Sequence, residues 1–261
     1  MSSLINRVSF TQLVDAALSA DDSTRALADV LSVVHGKRQH TIKELREKGV
    51  HNNTRMHFMN LGTLFKEQID VLTDLMAAGE AAAALWEDEA RFYESTSGAV
   101  VCKCAGHEVL CENNFPAHLQ LVCTPLTRQC RKQQIQAYCA GKVYAAAGPA
   151  GTGKTETIKD THRLLGREPV GINANAEMTD ADFERISQEH KANAGMVPIV
   201  FDEFNRLDSA KQVSCLDILQ QAEHSVCITF NPGYKGFEPL DACVLAQIQQ
   251  PPQPMTRPAL K

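Results

Sequence analysis

The segment Gly148-Pro149-Ala150-Gly151-Thr152-Gly153-Lys154-Thr155 constrains the fold of this chain more than any other stretch. It is a complete GxxxxGK[ST] run, set between the apolar residues 143–147 and a helix-forming segment, 156–165, that opens with Glu156. Such a run functions only where a strand turns into a helix N-terminus. The glycines let the backbone fold tightly enough for successive N–H groups to point at phosphate oxygens. The helix dipole adds positive potential at the same place. Lys154 would then reach the β- and γ-phosphates of a nucleoside triphosphate, and the Thr155 hydroxyl would bind Mg²⁺. A glycine turn with a stray lysine is the bland alternative, and it leaves the flanking strand and helix pattern unexplained.

Downstream and upstream of this loop the pattern alternates. The sequence predicts a helix over 128–140, a strand over 142–147, a short strand at 171–173, a polar helix over 180–191 and a helix near 210–222. Residues 197–201 and 226–230 are continuous apolar runs. Runs apolar on both faces, alternating with helices, predict an α/β fold with a parallel sheet covered on two sides. Ligands of such sheets lie outside the carboxyl ends of the strands. Ile199-Val200-Phe201 ends in Asp202 and Glu203, so Asp202 is expected beside the phosphate loop as a Mg²⁺ ligand, directly or through water. Glu203 is expected to accept a proton from an attacking water. Helix-capping acids are the alternative, and the strand-end position favours the catalytic reading. The second apolar run delivers Asn231, whose amide could orient that water or contact the γ-phosphate. Taken alone, Asn231 before Pro232-Gly233 reads as a turn.

Residues 1–98 read as helical. Leu27, Val30, Leu31 and Val34 form one apolar stripe, and Phe65, Ile69, Leu72 and Met76 another. Residues 77–86 continue with helix formers despite Gly79. Short β-favouring runs follow at 100–102 and 119–123. The division expected is a helical region over 1–98, a nucleotide-binding module over 99–245, and a proline-rich extended tail over 246–261. A net charge of −5 gives no basic footprint for nucleic acid. No stretch approaches the roughly 18 apolar residues of a membrane helix, and the N-terminus lacks a signal-peptide core. Nine scattered cysteines fit a reduced, intracellular chain. Cys102, Cys104, His107 and Cys111 have the residue types of a zinc site but no second ligand pair at the usual spacing, so strand residues are expected there. Cys123, Cys139, Cys215 and Cys227 are expected to be buried.

The run 148–157 with Lys159-Asp160, together with Phe201-Asp202-Glu203-Phe204-Asn205-Arg206 and Asn231-Pro232-Gly233-Tyr234-Lys235-Gly236, strongly resembles the first AAA+ module of dynein heavy chains. Leu121-Val122-Cys123-Thr124-Pro125-Leu126-Thr127 resembles the stretch that enters that module and lines the nucleotide base. Residues 86–93 are similar to the end of the dynein linker. The resemblance covers roughly residues 85–240. It implies an AAA+ P-loop ATPase module of a six-module ring that drives minus-end-directed movement along microtubules. Carried onto this sequence, Lys154 and Thr155 bind ATP and Mg²⁺, Asp202 serves the metal, Glu203 activates water, Asn231 senses the γ-phosphate, and Arg206 faces a module interface. The partners implied are other dynein AAA+ modules and the intermediate and light chains, with microtubules engaged only indirectly. The location implied is cytoplasmic and cytoskeletal, including the axoneme of a cilium or flagellum.

Two departures shape the expectation. The interval between Glu203 and Asn231 is short for this module, and residues 241–261 give no convincing fifth strand, helical lid or second sensor. The chain is expected to be a fragment, a truncated product or a reduced relative, with an arginine finger supplied by another module and slow turnover in isolation. A nucleotide-dependent interaction module without motor activity and a structural remnant are the competing readings.

Overall fold

The computed structural model describes residues 2–46, 51–112, 119–193, 197–233, 238–248 and 253–255. The chain divides into two compact units, one of Met1–Cys111 with Ala117–Arg128, the other of Glu112–Pro116 with Gln129–Lys261.

The first unit opens with three helices, α1 (Ser2–Leu18), α2 (Ser23–Arg46) and α3 (Asn52–Ala78). The two apolar stripes read from the sequence meet here. Leu27, Val30 and Val34 of α2 share a core with Phe65, Ile69 and Leu72 of α3. Val14 joins from α1, and Trp86 caps the cluster with its indole N–H donating to Asp15 Oδ1 at 2.7 Å. Gly79 takes φ 55°, in the left-handed region, and ends α3 at Ala78. A 3-10 turn, Gly79–Ala81, then leads into α4 (Ala82–Asp88).

The helical reading of residues 1–98 therefore stops early. Arg91–Glu94 is a strand, β1, and pairs antiparallel with β2 (Val100–Cys104), which pairs with β3 (His107–Leu110). Phe92, Cys102 and Val109 stand opposite one another across the three strands, and all three are buried. That shared face fixes the register, because a one-residue slip would turn all three outward. The β2–β3 turn uses Ala105 and Gly106, both at positive φ, as a tight two-residue hairpin requires. Residues 99–111 thus belong with the helices and not with the phosphate-loop unit. The β-favouring run at 119–123 forms no strand; Leu119 and Val122 are more than half exposed.

The second unit is built on a parallel sheet of order β5-β6-β7-β4-β8. Its strands are β4 (Tyr144–Ala147), β5 (Val170–Asn173), β6 (Ile199–Asp202), β7 (Val226–Phe230) and β8 (Gln253–Pro254). Helix α5 (Pro125–Cys139) begins on a proline, which is pre-set for a first helical turn. It is followed by α6 (Lys154–Leu164), α7 (Asp180–His190), α8 (Ser209–Gln221) and α9 (Ala242–Gln247). Every residue of β4 is buried, as are the first four of β7, so the sheet is covered on both faces as the continuous apolar runs imply. Phe201 sits at the centre of the core, 5.8 Å from Phe204 and 6.5 Å from Phe183 between ring centroids, both edge-on.

Two expectations are corrected here. The proline-rich tail does supply a fifth strand, since Gln253–Pro254 pairs with Ala146 and Ala147 at the sheet edge. Proline is tolerated at an edge because no ladder donor is needed on the outer side. Cys139 lies exposed at the end of α5 and Cys123 is half-buried, whereas Cys215 and Cys227 are buried. Among the described residues, no three His, Cys, Asp or Glu side chains converge as a metal site; Cys102 and Cys104 occupy the covered face of β2.

Candidate nucleotide-binding site

The phosphate-loop strand β4 lies beside β7, and β7 beside β6. Ala147 pairs with Phe230, and Phe201 with Ile228, so these strands end at nearly the same level. Gly148, Asp202 and Asn231 therefore emerge along one edge, as the sequence predicts for a sheet that binds ligands at its carboxyl ends.

Local geometry explains the glycines. Gly148 takes φ 152°, and a Cβ added there would lie 2.4 Å from the Met255 carbonyl oxygen. Gly151 and Gly153 adopt φ 73° and 81°. Gly153 is the N-cap of α6, which starts at Lys154, so the first-turn N–H groups open onto the loop. Thr152 Oγ1 donates to Pro149 O at 3.0 Å and ties the loop to itself. Ala150, Gly151, Gly153 and Glu156 line the cleft, with Glu156 paired to Lys159 at 3.5 Å.

Lys154 is buried, and its Nζ donates to Gly148 O at 2.8 Å, Pro149 O at 2.9 Å and Asn231 Oδ1 at 2.7 Å. Burial pulls its pKa down, while the carboxylates of Asp202 and Glu203 push it back up. An ammonium desolvated beside carbonyl oxygens gains strongly from any anion placed against it.

On β6, Asp202 Oδ1 accepts from the Thr155 hydroxyl at 2.9 Å, from the Thr229 hydroxyl, and from the Glu203 N–H at 3.1 Å. Glu203 itself sits at φ 54°, a left-handed conformation that costs a non-glycine residue about 1–2 kcal/mol. Its backbone N–H is held there by Asp202 and by Thr229 Oγ1 at 3.3 Å. Its carboxylate accepts from Asn231 Nδ2 at 3.3 Å and pairs with Arg206. Asn231 is anchored in turn by Asn205, which donates to Asn231 O at 3.1 Å.

Thr229 and Asn205 are the members that sequence reading did not single out. A signal existed for Thr229: a hydroxyl inside an otherwise apolar, fully covered strand must find a partner. For Asn205 the signal was its place in the segment after the acids, where a buried amide must also be satisfied. Tyr234, Lys235 and Gly236 lie outside the described residues.

Together these groups border a cleft of about 450 Å³, within the range of small-molecule sites. Lys159 and Asn173 extend its wall beyond the loop. The donor set suits a magnesium triphosphate: the first-turn N–H groups of α6 and an ammonium for phosphate, and a hydroxyl and carboxylate 2.9 Å apart as hard oxygen ligands.

Residues 113–222 match the family described as the hydrolytic ATP binding site of the dynein motor region. The chain belongs to the dynein heavy-chain family. It is 30% identical over 226 residues to dynein axonemal heavy chain 5 of Mus musculus, covering 76% of this chain and 5% of that protein. Dynein axonemal heavy chain 8 of Homo sapiens is 31% identical over 217 residues, 71% of this chain and 5% of its own length. Cytoplasmic dynein 2 heavy chain 1 of Caenorhabditis elegans is 34% identical over 128 residues, covering 48% and 3% respectively. The chain thus spans about a twentieth of the axonemal dyneins that it matches. The family segment takes in the phosphate loop, Asp202, Glu203, Asn205 and Arg206, and ends before Thr229 and Asn231. Among the described residues, no helix is long and apolar enough to cross a membrane.

Proposed function

We propose that this dynein-family AAA+ module binds ATP with Mg²⁺ and hydrolyses the γ-phosphate, as one part of a larger motor. The backbone of residues 148–153 cradles the phosphates, and Lys154 moves its ammonium from the loop carbonyls to the β- and γ-oxygens. Thr155 and Asp202 would hold Mg²⁺, which when bound would offset negative charge on the phosphate. Glu203 takes the proton from the attacking water, and Asn231 positions that water or contacts the γ-phosphate. One observation carries the reading. A single amide, Asn231, joins the phosphate-binding ammonium to the candidate base, beside the Thr155–Asp202 pair.

Turnover by the isolated chain is slow in this reading, since an arginine from a neighbouring module or subunit contributes about 10³–10⁵ in related phosphate-loop enzymes. The larger assembly supplies minus-end-directed movement, with other AAA+ modules and the intermediate and light chains as partners and microtubules reached indirectly. Its setting is the cytoplasmic cytoskeleton or the axoneme, on the strength of the axonemal and cytoplasmic dyneins that the chain resembles. Residues 1–98 supply the end of the linker.

Purified chain with radiolabelled ATP tests the core of this reading. Lys154→Ala is expected to weaken ATP binding by more than about 100-fold, through loss of a charge-assisted contact to phosphate. Glu203→Gln is expected to keep binding and lower turnover by about 10²–10⁴, the usual contribution of a general base. Unchanged affinity in the first variant would remove the site assignment. Binding without wild-type turnover would favour a nucleotide-dependent interaction module.

A further inference from the structure

The Glu203 carboxylate is occupied on both sides. Oε1 accepts from Asn231 Nδ2 at 3.3 Å, and Oε2 pairs with the guanidinium of Arg206. A carboxylate whose two oxygens are both held by donors has neither oxygen free to face a water. The two donors differ in what else they do. Asn231 is buried, and its Oδ1 answers to Lys154, so its hold on Glu203 is tied to the nucleotide pocket itself. Arg206 holds the other carboxylate oxygen from the 3-10 turn Phe204–Arg206, with 47% of its side chain exposed.

We infer that Arg206 is a positioning residue that restrains Glu203, holding its carboxylate away from the attacking water until the ion pair opens. This rests on the hydrolytic reading of Glu203 above. The turn geometry supports it. Glu203 stands at a left-handed φ as the N-cap of that turn, and Leu207 leaves it extended, so the backbone brings positions i and i+3 face to face. The Arg206 N–H also donates to Glu203 O at 2.9 Å, closing the turn behind the ion pair. Arg206 reaches Glu203 without reorganising the sheet, and it can leave the same way. Its exposure puts the restraint where a carboxylate from outside this unit can compete for the guanidinium. An exposed pair of this kind is a weak lock, which suits a group that must release on each turnover.

The test is turnover against affinity. Arg206→Ala is expected to raise kcat about two- to five-fold, equivalent to about 0.4–1 kcal/mol, the range measured for exposed ion pairs. KM for ATP should stay within two-fold. Arg206→Lys, which keeps the charge at the same spacing, should bring kcat back toward wild type. In a Glu203→Gln background, Arg206→Ala should change nothing, because there is no carboxylate left to restrain. If steady-state rates are too low, single turnover of radiolabelled ATP with protein in excess reads the same ratio. A kcat that is unchanged or lower in Arg206→Ala, with KM intact, overturns the restraint while leaving the hydrolytic assignment standing. Wild-type turnover surviving in Glu203→Gln, or no cleavage in any variant, sinks the assignment itself and the restraint with it.

Discussion

The two units of this chain use buried polar groups in different ways. In the helical unit they act through single pairs and local bonds: Trp86 with Asp15, Arg7 with Glu67, and Thr11 and Thr41 each donating to a carbonyl one helical turn earlier, Thr11 also accepting from the Phe92 N–H. At the cleft of the sheet unit the polar groups share acceptors instead. One oxygen of Asp202 takes three donors, and Asn231 links Lys154, Glu203 and Asn205. A pair that closes on itself holds shape. A network in which several donors compete for one acceptor can be redistributed when a new anion or cation arrives, and that is the property a nucleotide site requires.

The contrast can be broken by asking whether each core carries only its own unit. Phe201→Ala removes the ring packed between Phe183 and Phe204, at the position just before Asp202 on β6. It should cost the sheet unit about 3–5 kcal/mol and take nucleotide binding with it, read by denaturant unfolding alongside ATP titration. Leu72→Ala, at a fully buried position of α3, should cost about 2–5 kcal/mol in the helical unit while ATP affinity changes less than two-fold. An equal loss of affinity in both variants would show that the two cores do not act separately.

A smaller effect sharpens the comparison through pH. His162, buried in α6 with its ring 3.4 Å from Cys227 Sγ, has its pKa lowered to about 3, first by burial and then by the Arg167 charge. Above about pH 6.5 it is neutral whether folded or unfolded and adds no pH dependence. Below that, only the unfolded chain takes up the proton, so stability should fall by about 1.4 kcal/mol per pH unit on the way toward the folded value. His162→Gln should flatten this slope between about pH 6.5 and 5, measured as unfolding free energy against pH.

The parts of the site legible in the sequence were those whose chemistry is local. Glycines at positive φ, a lysine at the first helical position and acids at a strand tip occupy consecutive residues, so the motif and its geometry coincide. Thr229 and Asn205 were not legible, because their roles exist only across the gap between β6 and β7. The stripes on α2 and α3 predicted their own burial, since helical periodicity is written in a few turns. The β-favouring run at 100–102 was legible, but the strand at 91–94 and the pairing of the three escaped notice because their face is shared by Phe92, Cys102 and Val109, one from each strand. Likewise the fifth strand at 253–254 carries no apolar run of its own and exists through pairing with β4.

The sequence by itself determined that this chain has a phosphate-binding loop between strand and helix, a covered parallel sheet, and a dynein-type set of acid and amide residues. Tertiary structure alone decided that β7 would lie between β4 and β6, and so that Asn231 would touch both Lys154 and Glu203. The physical reason is range: backbone conformation and periodicity act over a few residues, whereas strand order is settled by which apolar faces and polar side chains find partners far along the chain.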